Sequence, residues 1–342
     1  KTLTLETIER IVTYQQKGYS MSRALITGLG GQDGSYLAEL LLDLDYEVHG
    51  IIRRQSTPEN QSTRYEHINS KIKTHYGDLL DEHSLYRIMK EVRPTHIFNL
   101  AAMSHVRISF DVPSFTIQTN ALGVLNMLEA TRNLAPQAKF YQASSSEMFG
   151  NSVDEDNHQR LTTPMNPVSP YGCAKVLGYN IANHYRNAYK MFVVNGILFN
   201  HESPRRGSNF VTNKVVKRAV EISLGKADKL VLGNLDSKRD WGHSKDYMKA
   251  IIKMMDYKEA RNWVIATGKS HSVRDLVTYV FKKLDLDPDK YVTQNPKFMR
   301  PEELKYLCGD SSETRKILKW EPEYTFETML DEMIERWQNH LS

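Results

Sequence analysis

From Arg23 onward, short apolar runs alternate with longer amphipathic ones, and no other feature constrains the fold so tightly. RALIT is followed by SYLAELLLDLD and YEVHGII, and later by HIFNLAA, KFYQASS and VVNGILF. Near-continuous apolar strands separated by helical stretches imply a parallel sheet with helices on both faces, since parallel neighbours need crossover connections. The expected fold class is α/β: a doubly wound parallel sheet of Rossmann type, with a smaller C-terminal α/β unit. After about residue 200 the rhythm loosens into HESPRRGSNF, a helical VVKRAVEISLG and a short LVLGN strand. Val273, Leu276, Val277 and Val280 follow i, i+3, i+4, i+7 spacing, as do Phe326, Met329, Leu330, Met333, Ile334 and Trp337. Each set marks a helix with one buried face.

Composition narrows the function classes. The chain has 342 residues, 25% charged and 40% hydrophobic, a globular balance rather than that of a disordered or membrane chain. Its net charge of +4 is dispersed, Lys and Arg standing among nearly as many acids. That speaks against nucleic acid as a partner and suits an anionic small molecule held in a cleft. Cys173 and Cys308 are too few for a disulfide framework or a zinc set, so no metal is expected and a reducing, cytoplasmic location is. No stretch approaches the roughly 18 apolar residues of a membrane span. Residues 1–20 lack the apolar core of a secretory leader. Met21 directly precedes the first strand, and the segment before it is read as an extension outside the fold.

A glycine-rich turn follows the first strand. Thr27-Gly28-Leu29-Gly30-Gly31-Gln32-Asp33-Gly34 places glycines at 28, 31 and 34 ahead of the helical SYLAELL. Glycines there permit a tight strand-to-helix turn and close approach of the backbone to a pyrophosphate, which meets the open N–H groups and positive end of the helix. The GxxGxxG spacing is one residue off the GxGxxG fingerprint, and glycines serving only turn and packing are the competing reading. Arg53 and Arg54 end the second strand, where a carboxylate would hold the ribose 2′-hydroxyl of NAD. A guanidinium forks onto a 2′-phosphate, so NADP is the expected cofactor, with solvated loop charge as the alternative. Asp78 and Leu79 after the third strand, and Leu100, Ala101 and Ala102 after the fourth, stand where adenine and ribose lie in such a sheet.

Tyr-xxx-Lys occurs three times, at Tyr86/Lys90, Tyr171/Lys175 and Tyr279/Lys283, and i,i+4 spacing puts each phenol and ammonium on one helix face. Only Tyr171 and Lys175 open a helix downstream of a strand, KFYQASS, whose end delivers further hydroxyls and an acid. The other pairs read as surface or structural. A phenol of pKa near 10 is a poor base at neutral pH, and bringing it to about 7 takes roughly 4 kcal/mol of preferential stabilisation of the phenolate. Lys175 and a nicotinamide cation are expected to supply it, so that Tyr171 removes the proton from a substrate hydroxyl as hydride leaves the same carbon. Ser144-Ser145-Ser146-Glu147-Met148-Phe149-Gly150 adds a carboxylate that a simple dehydrogenase does not need. Beside a newly formed 4-ketone the C5 proton is acidic, and Glu147 would take it as the C6 hydroxyl departs. A solvated acid at a strand end is the competing reading.

Together with TGLGGQDGSYLAELLL, QASSSEMFG, SPYGCAK, VNGILFNHESPRRGSNFVT, GNLDSKRDWGHSKDY, IATG and RPEEL, these residues resemble the extended short-chain dehydrogenase/reductase family. Within it the resemblance is to the GDP-mannose 4,6-dehydratase group, from Met21 to the last helix. It implies a tightly held NADP regenerated in each turnover, GDP-mannose as substrate, and GDP-4-keto-6-deoxymannose as product, the branch point toward GDP-fucose and GDP-rhamnose. By position it makes Ser145 the hydroxyl that polarises the C4 oxygen, Glu147 the base at C5, Tyr171 the base at the 4-hydroxyl and Lys175 its partner. Cofactor contacts are implied at Gly28, Leu29, Gly30, Gly31, Gln32, Asp33 and Gly34, and at Arg53, Arg54, Asp78 and Leu79. Further ones fall at Leu100, Ala101, Ala102, Ser104, Tyr171, Lys175, His201 and Arg206. Contacts with the nucleotide sugar are implied at Ser104, Ser145, Glu147, Asn200, Asn209, Lys214, Arg239, Arg300 and Glu303. A homodimer or homotetramer is implied as well.

The family pattern is departed from in three ways: Ser145 stands where Thr is common, Phe149 and Phe115 where Tyr is usual, and the loop QSTPENQSTRYEH after Arg54, which meets a neighbouring subunit in relatives, fits it poorly. His201 has a structural reading beside the cofactor one. Arg205 and Arg206 are either a solvated pair or, from their place between FNHESP and GSNF, phosphate ligands. The expected division is 21–200 for the NADP-binding unit and 201–342 mainly for the nucleotide-sugar unit, with 235–270 returning to the first. Rival readings are a dTDP-glucose 4,6-dehydratase and a sugar-nucleotide epimerase, whose C4 chemistry does not require Glu147. From another class, an inactive NADP sensor would be free to lose Tyr171, Lys175 or Glu147.

Overall fold

Seven strands make the centre of the computed structural model, which describes residues 21–54 and 62–342. They are β1 (Arg23–Thr27), β2 (Glu47–Ile52), β3 (Ile72–Tyr76), β4 (His96–Asn99), β5 (Lys139–Ser145), β6 (Val193–Leu198) and β7 (Asn262–Ile265), in spatial order β3-β2-β1-β4-β5-β6-β7. Every pairing is parallel, Ala24 lying between Val48 and His96. The strand order reverses between β1 and β4, and the crevice beyond their carboxyl ends is where a doubly wound sheet takes a ligand. The expected extension at 1–20 and residues 55–61 of the loop after Arg54 lie outside the described residues.

Helices α1 (Gln32–Asp43), α2 (Glu82–Val92), α3 (Gly123–Leu134), α4 (Pro170–Tyr189), α5 (Val211–Ser223), α6 (Ser244–Asp256), α7 (Val273–Lys283) and α8 (Phe326–Leu341) complete the frame. On one face of the sheet, Leu37 and Leu41 of α1 and Tyr247 and Ile251 of α6 pack on Ile26, Phe98 and Val194. On the other, Leu85 and Ile88 of α2, Met127 of α3 and Ala182 of α4 pack on Leu25, Ile97 and Phe140. Strands covered on both faces need apolar residues at successive positions, and all six residues of β6 are buried.

The second half departs from the loosened rhythm read in the sequence. The chain leaves the sheet after β6, builds α5 and short strands, and returns through α6 to β7, a further strand–helix–strand unit. Residues 200–202 pair in parallel with 241–243 where it leaves and returns. Outside the sheet, α5, α7 and α8 bury Val216, Val220, Leu276, Val280, Met329 and Met333 together. Tyr279 and Lys283 reach the two carboxylate oxygens of Asp331 at 2.8 and 3.1 Å, so that Tyr-xxx-Lys pair ties α7 to α8. Tyr86 and Lys90 lie along α2. Among the described residues no helix is long and apolar enough to cross a membrane.

Candidate active site

The hydroxyl of Thr27, at the end of β1, donates to Asn99 Oδ1 at 2.7 Å and accepts the N–H groups of Leu100 and Ala101 at 3.0 Å each. Asn99 in turn donates to Gln142 Oε1 at 2.8 Å, so one chain of side chains fixes β1, β4 and β5 where the crevice opens. Gly28 has φ +75°, and a Cβ on Gly34 would sit 2.3 Å from the Gly28 carbonyl oxygen; only glycine fits either place. At the N-cap of α1, Gly31 offers no side-chain hydrogen bond, leaving the first N–H groups and the positive end of a 12-residue helix open at the crevice. These residues fit a pyrophosphate.

Asp33 is in the first turn of α1. It accepts from His201 Nε2 at 2.7 Å and from Ser244 Oγ at 2.7 Å, while His201 Nδ1 meets the Phe199 carbonyl at 2.8 Å. Two acceptors for two ring nitrogens require a doubly protonated imidazole. Burial raises the pKa of Asp33, but the charge and hydrogen bond of His201, with help from Ser244, outweigh it and bring the group down to about 2. For His201, burial lowers the pKa, and the Asp33 carboxylate reverses that and raises it. His201 is therefore an ion-pair partner, as its structural reading has it, and it also lines the cavity.

β5 ends in Ser145, whose Oγ accepts the Glu147 N–H at 3.2 Å across the short turn Ser146–Phe149. Gly150 then turns the chain at φ +57°, where a Cβ would lie 1.8 Å from the Asn166 oxygen. α4 starts through Ser169, which accepts the Gly172 N–H at 3.0 Å, with Pro170 at its first position. Ser145, Glu147, Tyr171 and Lys175 are each at most 9% exposed and line one cavity of about 360 Å³.

Lys175 does not lower the Tyr171 phenol by itself. Its Nζ donates to the Ala143 carbonyl at 2.9 Å and stands 5.7 Å from the centre of the Tyr171 ring. Burial pushes Tyr171 up to about 12, with Glu147 adding to the effect and Ser145 and Arg206 opposing it. Burial likewise brings Lys175 down to about 8.

Asp33, Leu100, Ala102, Ser104, His201 and Arg206 of the expected cofactor set also line this cavity, as do Asn200, Asn209, Lys214, Arg239, Arg300 and Glu303 of the expected substrate set. Gly28, Leu29, Gly30, Gly31, Gln32, Gly34, Asp78, Leu79, Ala101, Arg53 and Arg54 are not among its lining. The side chains of Leu29 and Leu79 are core, and Arg53 and Arg54 are exposed at the end of β2. Arg205 turns away from the cavity to pair with Glu39 and stack on Tyr36, whereas Arg206 lines it and pairs with Glu202 at 3.0 Å. Phe149 is buried against Phe199 and Phe115 is exposed, and neither lines the cavity.

Sequence reasoning missed Ser237, which lines the cavity with its buried Oγ unpartnered, as is Asn200 Oδ1. It missed Phe210 too, which underlies Arg206 at 3.6 Å. Both stand in runs quoted above, but nothing in their spacing singles them out.

A family model described as GDP-mannose 4,6 dehydratase matches residues 25–333. GDP-mannose 4,6 dehydratase of Drosophila melanogaster is 45% identical over 338 residues, covering 91% of this chain and 85% of its own length. The Homo sapiens protein of that name is 44% identical, covering 93% of this chain and 92% of its own. Among solved structures, UDP-glucose 4-epimerase of Thermotoga maritima superposes with a TM-score of 0.82 at 23% identity, over 94% of this chain and 100% of that one. dTDP-glucose 4,6-dehydratase of Bacillus anthracis gives 0.81 at 22%, over 93% and 97%. At those identities the structures speak for the shared fold, while the sequence matches decide the family: the chain belongs to the GDP-mannose 4,6-dehydratases.

Proposed function

We propose that the protein is an NADP-dependent nucleotide-sugar 4,6-dehydratase, a carbon–oxygen lyase converting GDP-mannose to GDP-4-keto-6-deoxymannose and water. The observation that carries this is Glu147, a buried carboxylate in one cavity with Tyr171 and Lys175; oxidation or epimerisation at C4 alone would not need it. The names of the relatives support the substrate. A nicotinamide dinucleotide is supported by the open start of α1 and by solved structures of this fold that carry NAD or NADPH. NADP over NAD rests on Arg53 and Arg54.

When bound, the nicotinamide supplies the acceptor and then the donor of the hydride that moves from C4 to C6. The chain's residues handle protons and position. Ser145 hydrogen-bonds the C4 oxygen, and Tyr171 takes the proton of the 4-hydroxyl. Lys175, already turned toward the end of β5, holds the nicotinamide ribose. Glu147 removes the C5 proton and passes it to the departing C6 hydroxyl, which leaves as water, and the proton held by Tyr171 returns to C5 as the hydride reaches C6. Lys214, Arg239 and Arg300 hold the diphosphate. Exposed apolar side chains on neighbouring helical segments, Phe115, Leu122 and Leu177, support a homo-oligomer.

Incubation of the purified protein, supplied with NADP, with GDP-mannose or dTDP-glucose tests the reading through the sugar product. A 4-keto-6-deoxy sugar is expected from GDP-mannose alone. Turnover of dTDP-glucose in its place, or cofactor binding with turnover of neither, contradicts it.

A further inference from the structure

Arg300 faces two demands that cannot be met together. Its Nη1 lies 3.3 and 3.4 Å from the two carboxylate oxygens of Glu147. A guanidinium assigned to the diphosphate is thus held by the group assigned to the C5 proton. The contact has a built frame. Asn151, four residues beyond Glu147, accepts the Lys305 N–H at 2.8 Å and donates to the Glu303 carbonyl at 3.1 Å. Glu303 Oε1 accepts the Arg300 N–H at 2.8 Å. These bonds fasten the segment carrying Arg300 to the turn carrying Glu147.

The Glu147 side chain is 6% exposed and that of Arg300 23%, so water screens their attraction poorly. Arg239 adds a second cation. It lines the same cavity, is buried, and makes no ion pair among the described residues; burial, then the charge of Arg300, bring its pKa down to about 10. Two guanidiniums thus stand near two carboxylates, Glu147 and Glu303, and a diphosphate bridging the guanidiniums would draw Arg300 off Glu147.

We propose that Arg300 is a substrate-operated latch on the base. It holds the Glu147 carboxylate in an ion pair until the diphosphate takes the guanidinium, and only then are the carboxylate oxygens available to C5. The proposal rests on the nucleotide-sugar reading and deepens it, for it makes the diphosphate a part of the substrate that readies the base as well as a handle for binding. Arg300 is in this sense a positioning residue, acting on the C5 proton through Glu147.

GDP separates the latch from direct contact with the sugar, because it carries the diphosphate and leaves C5 vacant. Calorimetric titration of GDP into the NADP-loaded protein and its variants reads it out, with inorganic pyrophosphate as a second probe. Glu147→Gln should bind GDP about fivefold more tightly, the gain expected from freeing one partner of a modest ion pair. Arg300→Gln should weaken GDP about tenfold, and adding Glu147→Gln to it should then recover less than twofold. Glu147→Ala, whose integrity is checked by retained NADP binding, should repeat the first result. An unchanged GDP affinity in both Glu147 variants overturns the latch. So does an equal tightening with and without Arg300, which would mark a general repulsion between Glu147 and the diphosphate. Failure of GDP to bind the unaltered protein overturns the nucleotide-sugar reading itself, and the latch with it.

Discussion

Tyr171 and Glu147 stand in the same buried cavity, both assigned as proton acceptors. With a pKa pushed up to about 12 by burial together with the charge of Glu147, the phenol is neutral at physiological pH and holds its proton until a cation arrives beside it. Replacing it tests this directly. Tyr171→Phe should retain NADP binding by fluorescence titration and lose turnover of GDP-mannose by about 10²- to 10⁴-fold, the usual worth of a positioned proton acceptor. Retained turnover would remove Tyr171 from the chemistry. Both residues were legible in the sequence because each is a reactive side chain at the end of an apolar strand or the start of the next helix. The direction in which Tyr171 is perturbed was not, since it is set first by how deeply the phenol is buried, with Lys175 donating to the Ala143 carbonyl instead of the phenol. Ser237 was harder still: an unpartnered buried oxygen is a property of the whole cavity and of no local pattern.

Among the elements, the turn from β1 into α1 has little freedom. Gly34→Ala would place a methyl 2.3 Å from the Gly28 oxygen and 2.8 Å from the Leu29 Cα, both backbone atoms that cannot rotate away. A loss of about 1–3 kcal/mol in urea unfolding is expected from such overpacking, with NADP affinity falling more than GDP affinity because the start of α1 moves. Equal losses for both ligands would argue against the assignment of this turn to the cofactor. Strands β1, β2, β4, β5 and β6 could be read from the sequence because burial on both faces writes a continuous apolar run, whereas the edge strand β3 buries only Ile72 and has none. The return of 235–270 toward the first unit was expected, but the strand–helix–strand character of β6–α6–β7 was obscured for a physical reason: the chain spends residues 199–261 making α5, short strands and α6 before it pairs with β6 again. Helix α7 was legible from its stripe and is held at its start by Ser272 and Asp275, which exchange hydrogen bonds of 2.9 and 2.7 Å.

At the scale of the molecule, the Asp33–His201 pair fastens the glycine-rich turn to the chain leaving the sheet, and Ser244 adds the start of α6. Asp33 falls from 3.8 to about 2 on folding, so its contribution is present above 3.8 and is lost as pH falls toward about 2. His201 is raised above 6.5, so its contribution is full below 6.5 and is lost as pH rises through the folded value. Compared with Asp33→Asn, the unaltered protein should be more stable by about 2 kcal/mol in urea titrations between pH 4 and 6.5, the gap narrowing on both sides. A gap that stays constant with pH would mean the pair is not ionic. The cavity these ties enclose brings a carboxylate, a phenol and a hydroxyl together, and the central claim is that they direct an internal transfer from C4 to C6. GDP-mannose deuterated at C4 decides it: incubation with the NADP-loaded protein should yield GDP-4-keto-6-deoxymannose carrying the deuterium at C6, whereas product without deuterium at C6 would contradict the account.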